Sequence, residues 1–439
     1  MKKQKRRNNI PTYFAKNALH PLGCKAFACF TEPTFIPILI LLICLNSTLG
    51  VTPSPGQLSI HPALKAQAYL ANQQTDSALM IISQLIEDKR EVEKWLIWRS
   101  EIYLTQGKIS DAINDLLQVE KKRPGMASFL LAKSYALLRD TNHTIFFLEK
   151  NLSSSFKVPR NIIMQEKAFH LLQNTKQWKK LWEKDWYNKY EYFEGEMRYL
   201  FEAKNWNGVI NAMNDIGSDS KRLSTHAFYM TGFAYMQLEN YGAALTYFNI
   251  AISRAKKQAR YYAARGDYYL QLKNFSKALD DYTHAIQYSP ESLEYYVKYI
   301  EALMGLKKSD TAYDLAQSLC QIFPTNNEIL FIHARTAYQS KRYLQSLTSI
   351  NKLLETTPED SAYLHLRARC YVQTAMLGQA LKDYDRLIQK YPKHSLYLLE
   401  RGKIYLLTND KQRYCSDWKK SAALGNTEAT QLLWEYCSQ

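Results

Sequence analysis

The sequence predicts an all-α fold in which about 11 antiparallel helix pairs stack into one elongated array behind an N-terminal apolar helix. Three observations predict it. Residue types recur at intervals of 34 residues through most of the 439-residue chain. Within each interval the recurring positions lie three or four apart, which places their side chains on one face of an α-helix. Apolar residues make up 46% of the chain and charged residues 22%, so a continuous core can form.

The N-terminus predicts export or anchoring. Residues 1–34 form a basic cytoplasmic segment with seven basic residues and one acidic residue, Glu32. Residues 35–51 form a signal or transmembrane anchor within the uncharged stretch Pro33 to Val51. Positive charge ahead of an apolar run keeps the N-terminus in the cytoplasm and sends the following chain across the membrane.

Two outcomes stay open for this apolar segment. Its full length can just span a bilayer, whereas its denser centre has the length of a signal peptide with a cleavage site after Gly50. The array is therefore expected outside the cytoplasm, either on a single-pass membrane anchor or secreted into the periplasm. Residues 52–60 form a linker, because Pro53 and Pro55 break any helix.

The repeat itself is a pattern of small, aromatic and proline residues. Small residues at two points of each interval let two helix axes approach closely, and aromatic residues fill the groove between them. Proline ends the second helix and turns the chain into the next repeat. Bulk at these small positions would force the pair apart. The packing positions are Gly232, Tyr235, Ala244, Gly266, Tyr269, Ala278, Pro290, Ala312, Pro324, Pro358, Ala380, Pro392 and Gly402.

This pattern resembles the tetratricopeptide repeat. The resemblance covers residues 61–424, with an irregular part at residues 153–205 where the register slips. It implies a right-handed α-solenoid of the bacterial exported or membrane-anchored type, whose concave surface is lined by the first helix of each pair. It also implies a non-catalytic scaffold that binds a partner protein or peptide.

The resemblance further implies which side chains face the groove. Aromatic side chains with interspersed charges suit an extended or helical peptide. An alternative stays open, in which Tyr229, Phe233 and Phe331 only pack between neighbouring first helices. The Lys and Asn pair with which chaperone-binding members hold a carboxylate is absent from the matching positions. The groove positions are Tyr229, Phe233, Arg260, Asp267, Glu301, Phe331, Arg335, Tyr338, His365, Arg369 and Lys403.

Residues 425–439 are predicted to form a C-terminal capping helix after a break at Gly425 and Asn426. Antiparallel packing of this helix would bring Cys415 and Cys437 to the same level. Export would permit a disulfide between them, and similar final repeats of exported bacterial repeat proteins suggest one. Two buried free thiols remain the alternative. Cys320 and Cys370 lie in different repeats and are expected to be free core residues.

The sequence contains no motif for catalysis, metal binding or a cofactor. Phosphate loops, His-Glu-x-x-His, Cys-x-x-Cys and Gly-x-Ser-x-Gly are all missing. Asp280 and Asp281 are expected on a solvated helix face. We therefore expect no enzyme and no small-molecule substrate.

The irregular part contains Trp178, Trp182 and Trp186, which are predicted to share one helix face. That face either packs in the core at a kink or forms an exposed contact surface.

A second function class stays open, an adaptor that binds an anionic polymer such as a glycan or a nucleic acid through a basic surface. The formal net charge is +16, and residues 1–34 contribute part of it. No long basic run stands out in the rest of the chain, so nucleic-acid binding has little local support.

Overall fold

A computed structural model of the chain describes residues 58–437, and the residues in this range form helices, turns and loops but no strand. It confirms the predicted all-α array. The expected basic segment, the apolar segment and most of the linker lie outside the described range. Between residues 58 and 437, no helix combines the length and the apolar character needed to cross a membrane.

Twenty-three α-helices, α1–α23, follow one another along this range, and two short 3-10 helices lie between them at Lys167–Leu172 and Gly217–Arg222. The α-helices are Pro62–Ala71, Thr75–Glu87, Val92–Thr105, Ile109–Lys122, Ser128–Leu137, Thr141–Leu152, Arg160–Gln165, Lys176–Leu181, Lys189–Glu202, Trp206–Asp215, Thr225–Gln237, Tyr241–Arg254, Ala259–Gln271, Phe275–Tyr288, Leu293–Gly305, Ser309–Ile322, Asn327–Gln339, Tyr343–Thr356, Ser361–Gln373, Leu377–Lys390, Ser395–Leu407, Lys411–Ala423 and Thr427–Cys437.

Successive helices pack as ten antiparallel pairs, three from α1 to α6 and seven from α9 to α22. The region between them holds only the six-residue helices α7 and α8 and the first 3-10 helix. The prediction counted its remaining pair in this region. Within each of these two runs, each pair also contacts the next one, so the apolar face that one pair cannot cover is covered by its neighbour.

Glycine in the first helix of a pair admits an aromatic ring from the second. A Cβ atom added at Gly266 would lie 2.9 Å from the ring of Tyr282, and one at Gly402 would lie 2.4 Å from Nε1 of Trp418. Both rings are fully buried. Because the ring lies 16 residues after the glycine in each case, this contact explains why the pattern needs a small residue there.

The repeat-ending prolines work as predicted from proline chemistry. Helix α14 ends at Tyr288, two residues before Pro290, and the intervening Ser289 lies outside the helical region at φ −139° and ψ 73°. The same geometry recurs before Pro324, Pro358 and Pro392. A residue before proline avoids the helical region, so each proline is compatible with this helix end. Helix α12 ends with the same geometry at Ala255, where Lys256 follows, so the helix end itself does not require proline.

The turn inside each pair depends on a left-handed residue that is seldom glycine. Lys273 has φ 56° between α13 and α14, and its N–H donates to the carbonyl of Leu270 while Asn274 N–H donates to Tyr269 at 2.8 Å. These bonds cap the first helix. The same conformation recurs at Glu239, Lys307, Lys341, Ala375 and Asn409.

The three tryptophans of the irregular part do not share a helix face, so that prediction was wrong. Helix α8 ends at Leu181, and the chain then turns so that Trp186 Nε1 donates to the carbonyl of Leu181 at 2.7 Å. Trp178 is buried against Phe169, whereas Trp182 and Trp186 are half-buried. The tryptophans therefore cover the end of α8, in agreement with the alternative in which they pack in the core.

One contact joins distant parts of the array. Lys94 in α3 donates from Nζ to the carbonyl of Tyr288 at 3.2 Å and forms an ion pair with Glu291 at 2.9 Å, across a sequence separation of 197 residues. Leu64 and Ala68 of α1 are buried in the same apolar cluster as residues of α13 to α15. This contact joins repeats that are not neighbours in sequence, whereas each repeat of a simple array contacts only its neighbours.

The array ends in α23, which packs on α22. Asn426 caps α23 by accepting from Ala429 N–H at 2.9 Å, and Thr427 is the first helical residue. A disulfide joins Cys415 of α22 to Cys437 of α23, with their Cα atoms 5.9 Å apart. Cys320 is a half-buried free thiol and Cys370 is a buried one.

Candidate functional site

The first helices of consecutive pairs present one row of side chains in register. The row occupies the position directly after the packing residue of each first helix, which is small in every case except Ile300. It comprises Phe233, Asp267, Glu301, Arg335, Arg369 and Lys403 on α11, α13, α15, α17, α19 and α21. We call this set the charge row. Its charged members are acidic on α13 and α15 and basic on α17, α19 and α21. The axes of packed helices are expected to lie about 8–10 Å apart.

The α11 end of the row is aromatic. Phe233 packs against Phe201 of α9 with ring centroids 5.3 Å apart, and Tyr229 packs against Tyr261 of α13 at 5.7 Å. Both Phe233 and Tyr229 are half-buried. Their rings therefore pack between neighbouring first helices, as the open alternative proposed, and each still presents an edge at the surface.

The two acidic residues near this end each have a close hydrogen-bonding partner. Asp267 accepts from the hydroxyl of Tyr282 at 2.7 Å, and burial raises the pKa of Asp267 above its ordinary value. Glu301 pairs with Lys298 at 3.3 Å. Arg260 is exposed and lies near Tyr229 and Tyr261, whose tyrosine pKa values burial raises.

A half-buried histidine lies on the same helix as Tyr229. Burial lowers the pKa of His226 to about 4, and the nearby Arg198 and Arg260 act in the same direction. Nδ1 of His226 has no hydrogen-bond partner within the described part of the chain. The imidazole is therefore neutral at pH 7 and stacks on Tyr229, with ring centroids 5.3 Å apart.

The basic end of the row is more open. A pocket of about 220 Å³ lies between α15, α17 and α19, and its walls are Met304, Arg335, Tyr338, Gln339, Leu366 and Arg369. Phe331 and Tyr363 pack together beside it, with ring centroids 5.0 Å apart. His365 is half-buried against Tyr384 and Tyr397, and burial lowers its pKa.

Lys403 closes the row at its far end. Its Nζ forms ion pairs with Glu400 at 2.9 Å and with Glu428 of the last helix at 2.7 Å. The structure thus places the predicted groove residues in two groups along one surface. Tyr229, Phe233, Arg260, Asp267 and Glu301 lie at the α11–α15 end, and the remaining six lie at the α17–α21 end.

Sequence reasoning missed a set of buried ion pairs between the two helices of a repeat. Each links an arginine to the aspartate 16 residues later through two hydrogen bonds of 2.6–2.8 Å, and the aspartates are buried. The pairs are Arg99 with Asp115, Arg265 with Asp281, Arg367 with Asp383, and Arg401 with Asp417.

The expectation that Asp280 and Asp281 share a solvated face was therefore half wrong. Asp280 is exposed, but Asp281 is 3% exposed and bound to Arg265. The recurrence of Arg and Asp at a separation of 16 residues was the signal that could have identified these pairs. They link the first helix of a repeat to the second.

Comparison with known proteins identifies the repeats. Models of the tetratricopeptide repeat match residues 225–258, 259–292 and 363–394. No curated protein matches this chain.

Several solved structures are similar to parts of the chain. A tetratricopeptide repeat protein from Parabacteroides merdae has a TM-score of 0.46 and 20% identity, covering 56% of this chain and 97% of its own. The C-terminal part of a repeat protein from Cytophaga hutchinsonii has a TM-score of 0.45 and 21% identity, covering 54% and 98%. The Cut9–Hcn1 hetero-tetramer of the APC/C has a TM-score of 0.47 and 13% identity, covering 86% and 83%.

Proposed function

We propose that this chain, a tetratricopeptide repeat protein, is a non-catalytic scaffold that binds a partner protein or peptide on the surface lined by its first helices. The observation that carries the proposal is the charge row with its flanking aromatic side chains, which continues in register from α11 to α21. Tyrosine, phenylalanine and arginine provide much of the binding energy at protein interfaces. A rigid array that presents them side by side can bind a partner with little ordering of its own backbone.

The test is affinity capture with two matched triple variants of the full chain. The groove variant carries Tyr338→Ala, Gln339→Ala and Gln373→Ala on α17 and α19. The control carries Gln345→Ala, Thr348→Ala and Lys352→Ala, three exposed residues of the second helix α18. We expect one defined protein to be retained by the native chain and by the control, and to be lost from the groove variant.

Removal of a central tyrosine from an interface costs about 2 kcal/mol or more, which lowers affinity by about 30-fold or more. Circular dichroism and thermal unfolding would verify that both variants keep the native fold. Equal retention of the partner by the groove variant and the control would contradict binding at the first helices.

We further propose that the array acts outside the cytoplasm of a bacterial cell, either exported or held by a membrane anchor. The basic residues 1–34 and the uncharged stretch from Pro33 to Val51 support this proposal. Protease added to intact spheroplasts should digest the array, whereas digestion only after lysis would contradict export. Mass spectrometry of the mature N-terminus would distinguish cleavage after Gly50 from retention of the anchor.

The alternative function, an adaptor for an anionic polymer, is supported by the net charge of +16 and by exposed basic groups such as Arg260 and Arg369. Binding to a polyanion releases counterions, so its affinity falls steeply as salt rises. Titration with heparin at two salt concentrations would test it. Strong binding at low salt that survives the groove variant would favour this alternative over a peptide groove.

A further inference from the structure

The pocket between α15, α17 and α19 differs from the rest of the charge row. Its two guanidinium groups, those of Arg335 and Arg369, come from the same position of consecutive repeats. Met304 and Leu366 supply an apolar floor, and both are nearly fully buried. An apolar pocket with a few convergent polar groups is the usual form of a binding site.

Neither guanidinium has an acidic partner. Within the described part of the chain, no carboxylate lies within ion-pair distance of Arg335 or Arg369. Elsewhere in the row, Glu301 pairs with Lys298 and Lys403 pairs with two glutamates. Among the basic residues of the charge row, Arg335 and Arg369 are thus the two without a carboxylate partner in the described part of the chain.

Aromatic side chains orient both arginines before any ligand arrives. The guanidinium of Arg369 lies 4.5 Å from the ring centroid of Tyr338. That of Arg335 lies 5.8 Å from the ring centroid of Phe331. Stacking of this kind restricts a flexible side chain and leaves its N–H groups free to donate.

We propose that this pocket binds the side-chain carboxylate of an acidic segment in the partner protein, an inference that rests on the proposed function. Arginine presents planar N–H groups that match the two oxygens of a carboxylate. Two guanidiniums can bind one carboxylate from both sides, and the amide of Gln339 can hydrogen-bond the backbone of the same segment. The volume of about 220 Å³ fits one glutamate side chain above the apolar floor.

The experiment uses an array of synthetic decapeptides with acetylated N-termini and amidated C-termini, so that every carboxylate is a side chain. Each peptide places one or two glutamates among apolar residues, and each has a matched peptide with glutamine instead. Binding to the full chain is measured by fluorescence anisotropy at fixed salt. Two variants are compared, R335Q/R369Q and the control R90Q/R413Q, which removes two exposed guanidiniums from other surfaces.

Hydrogen bonds to charged groups predict that glutamate peptides bind about 10- to 100-fold more tightly than their glutamine counterparts. This preference should disappear in R335Q/R369Q and remain in the control, while binding of the glutamine peptides stays unchanged.

Two results would overturn the inference. One is a glutamate preference that persists in R335Q/R369Q with an unaltered melting temperature. The other is an array in which no peptide shows a preference for glutamate. Either result leaves the scaffold standing if affinity capture still separates the groove variant from its control, so the two proposals fail independently.

Discussion

The helix pairs α13–α14 and α17–α18 occupy equivalent places in the array but solve the same packing problem with different chemistry. In the first pair, Arg265 holds Asp281 through two hydrogen bonds of 2.8 and 2.7 Å. In the second, the equivalent residues are His333 and Ser349, and Nδ1 of the histidine lies 2.8 Å from the serine Oγ. The two positions change together, from a charged pair to a neutral one.

The charged pair also reaches the preceding repeat. Nη1 of Arg265 donates to Oδ1 of Asn249 at 2.6 Å, and Arg367 donates to Asn351 in the same way. The imidazole of His333 is too short to repeat that contact, and it packs near Tyr313 instead. The comparison shows that the buried position requires complementary partners, whereas charge adds a link to the neighbouring repeat.

Removal of one partner from the charged pair should give the largest effect. In Asp281→Ala the guanidinium of Arg265 stays in a largely buried site without its carboxylate, and we expect a loss of about 3 kcal/mol in the free energy of unfolding. Ser349→Ala breaks only a neutral hydrogen bond and should cost about 1 kcal/mol. Urea unfolding followed by circular dichroism measures both, and equal losses would contradict the comparison.

The last repeat has no following helix pair to pack against, so it tests whether the buried ion pair alone is enough to stabilise this end of the array. Arg401 holds Asp417, and the disulfide from Cys415 to Cys437 links α22 to α23. Closing a loop with a sequence separation of 22 residues stabilises by about 3 kcal/mol in the chain-entropy model.

Cys415→Ser with Cys437→Ser should therefore lower the stability of this end by about that amount. Amide hydrogen exchange would show the loss as faster exchange in α22 and α23, and Cys320→Ala serves as a control without a disulfide. Unchanged exchange in the double variant would mean that packing alone holds α23.

The exchange of one chemistry for the other sharpens the comparison further. The double variant Arg265→His with Asp281→Ser copies the neutral pair into α13–α14, so no buried charge is left alone. We expect it to lose about 1 kcal/mol, less than Asp281→Ala alone, because it loses the contact to Asn249 but leaves no unpaired charge. A double variant less stable than the single variant would show that the surrounding packing admits only arginine.

The sequence predicted the parts of the fold that depend on repeated local chemistry. Small residues such as Gly266 and residues that follow a helix end, such as Pro290, act through local sterics. Their spacing was therefore sufficient to predict the helix pairs. The buried pairs were missed because aspartate on a helix is usually solvated, and its burial at Asp281 depends on an arginine from another helix.

Other features lay beyond the repeat pattern. The left-handed turn residue is Lys273 in one pair and Ala375 in another, so tertiary packing overrides the preference for glycine. The contact between Lys94 and Glu291 depends on the path of the whole chain through the irregular part. In the candidate site, the groove positions followed from the family resemblance. That no carboxylate between residues 58 and 437 pairs with Arg335 or Arg369 depends on how the neighbouring helices pack.

The smallest effect expected is a difference in acid sensitivity between the two kinds of pair. Burial lowers the pKa of His333, so its imidazole is neutral in the folded state, whereas in the unfolded chain it takes up a proton below about pH 6.5. Its contribution to stability is therefore complete above that pH and is lost as the pH falls through it.

His226 and His365 act in the same direction, so the effect of His333 must be isolated by substitution. Exchange rates in α17 and α18 should rise more between pH 7 and pH 5.5 in the native chain than in His333→Asn, after correction for intrinsic exchange. Substitution of the exposed His143 should leave that difference unchanged. Since Arg265 stays charged throughout this range, exchange rates in α13 and α14 should not rise in the same way. Equal acid sensitivity of α13–α14 and α17–α18 would mean that His333 is not the cause of the acid sensitivity of α17–α18.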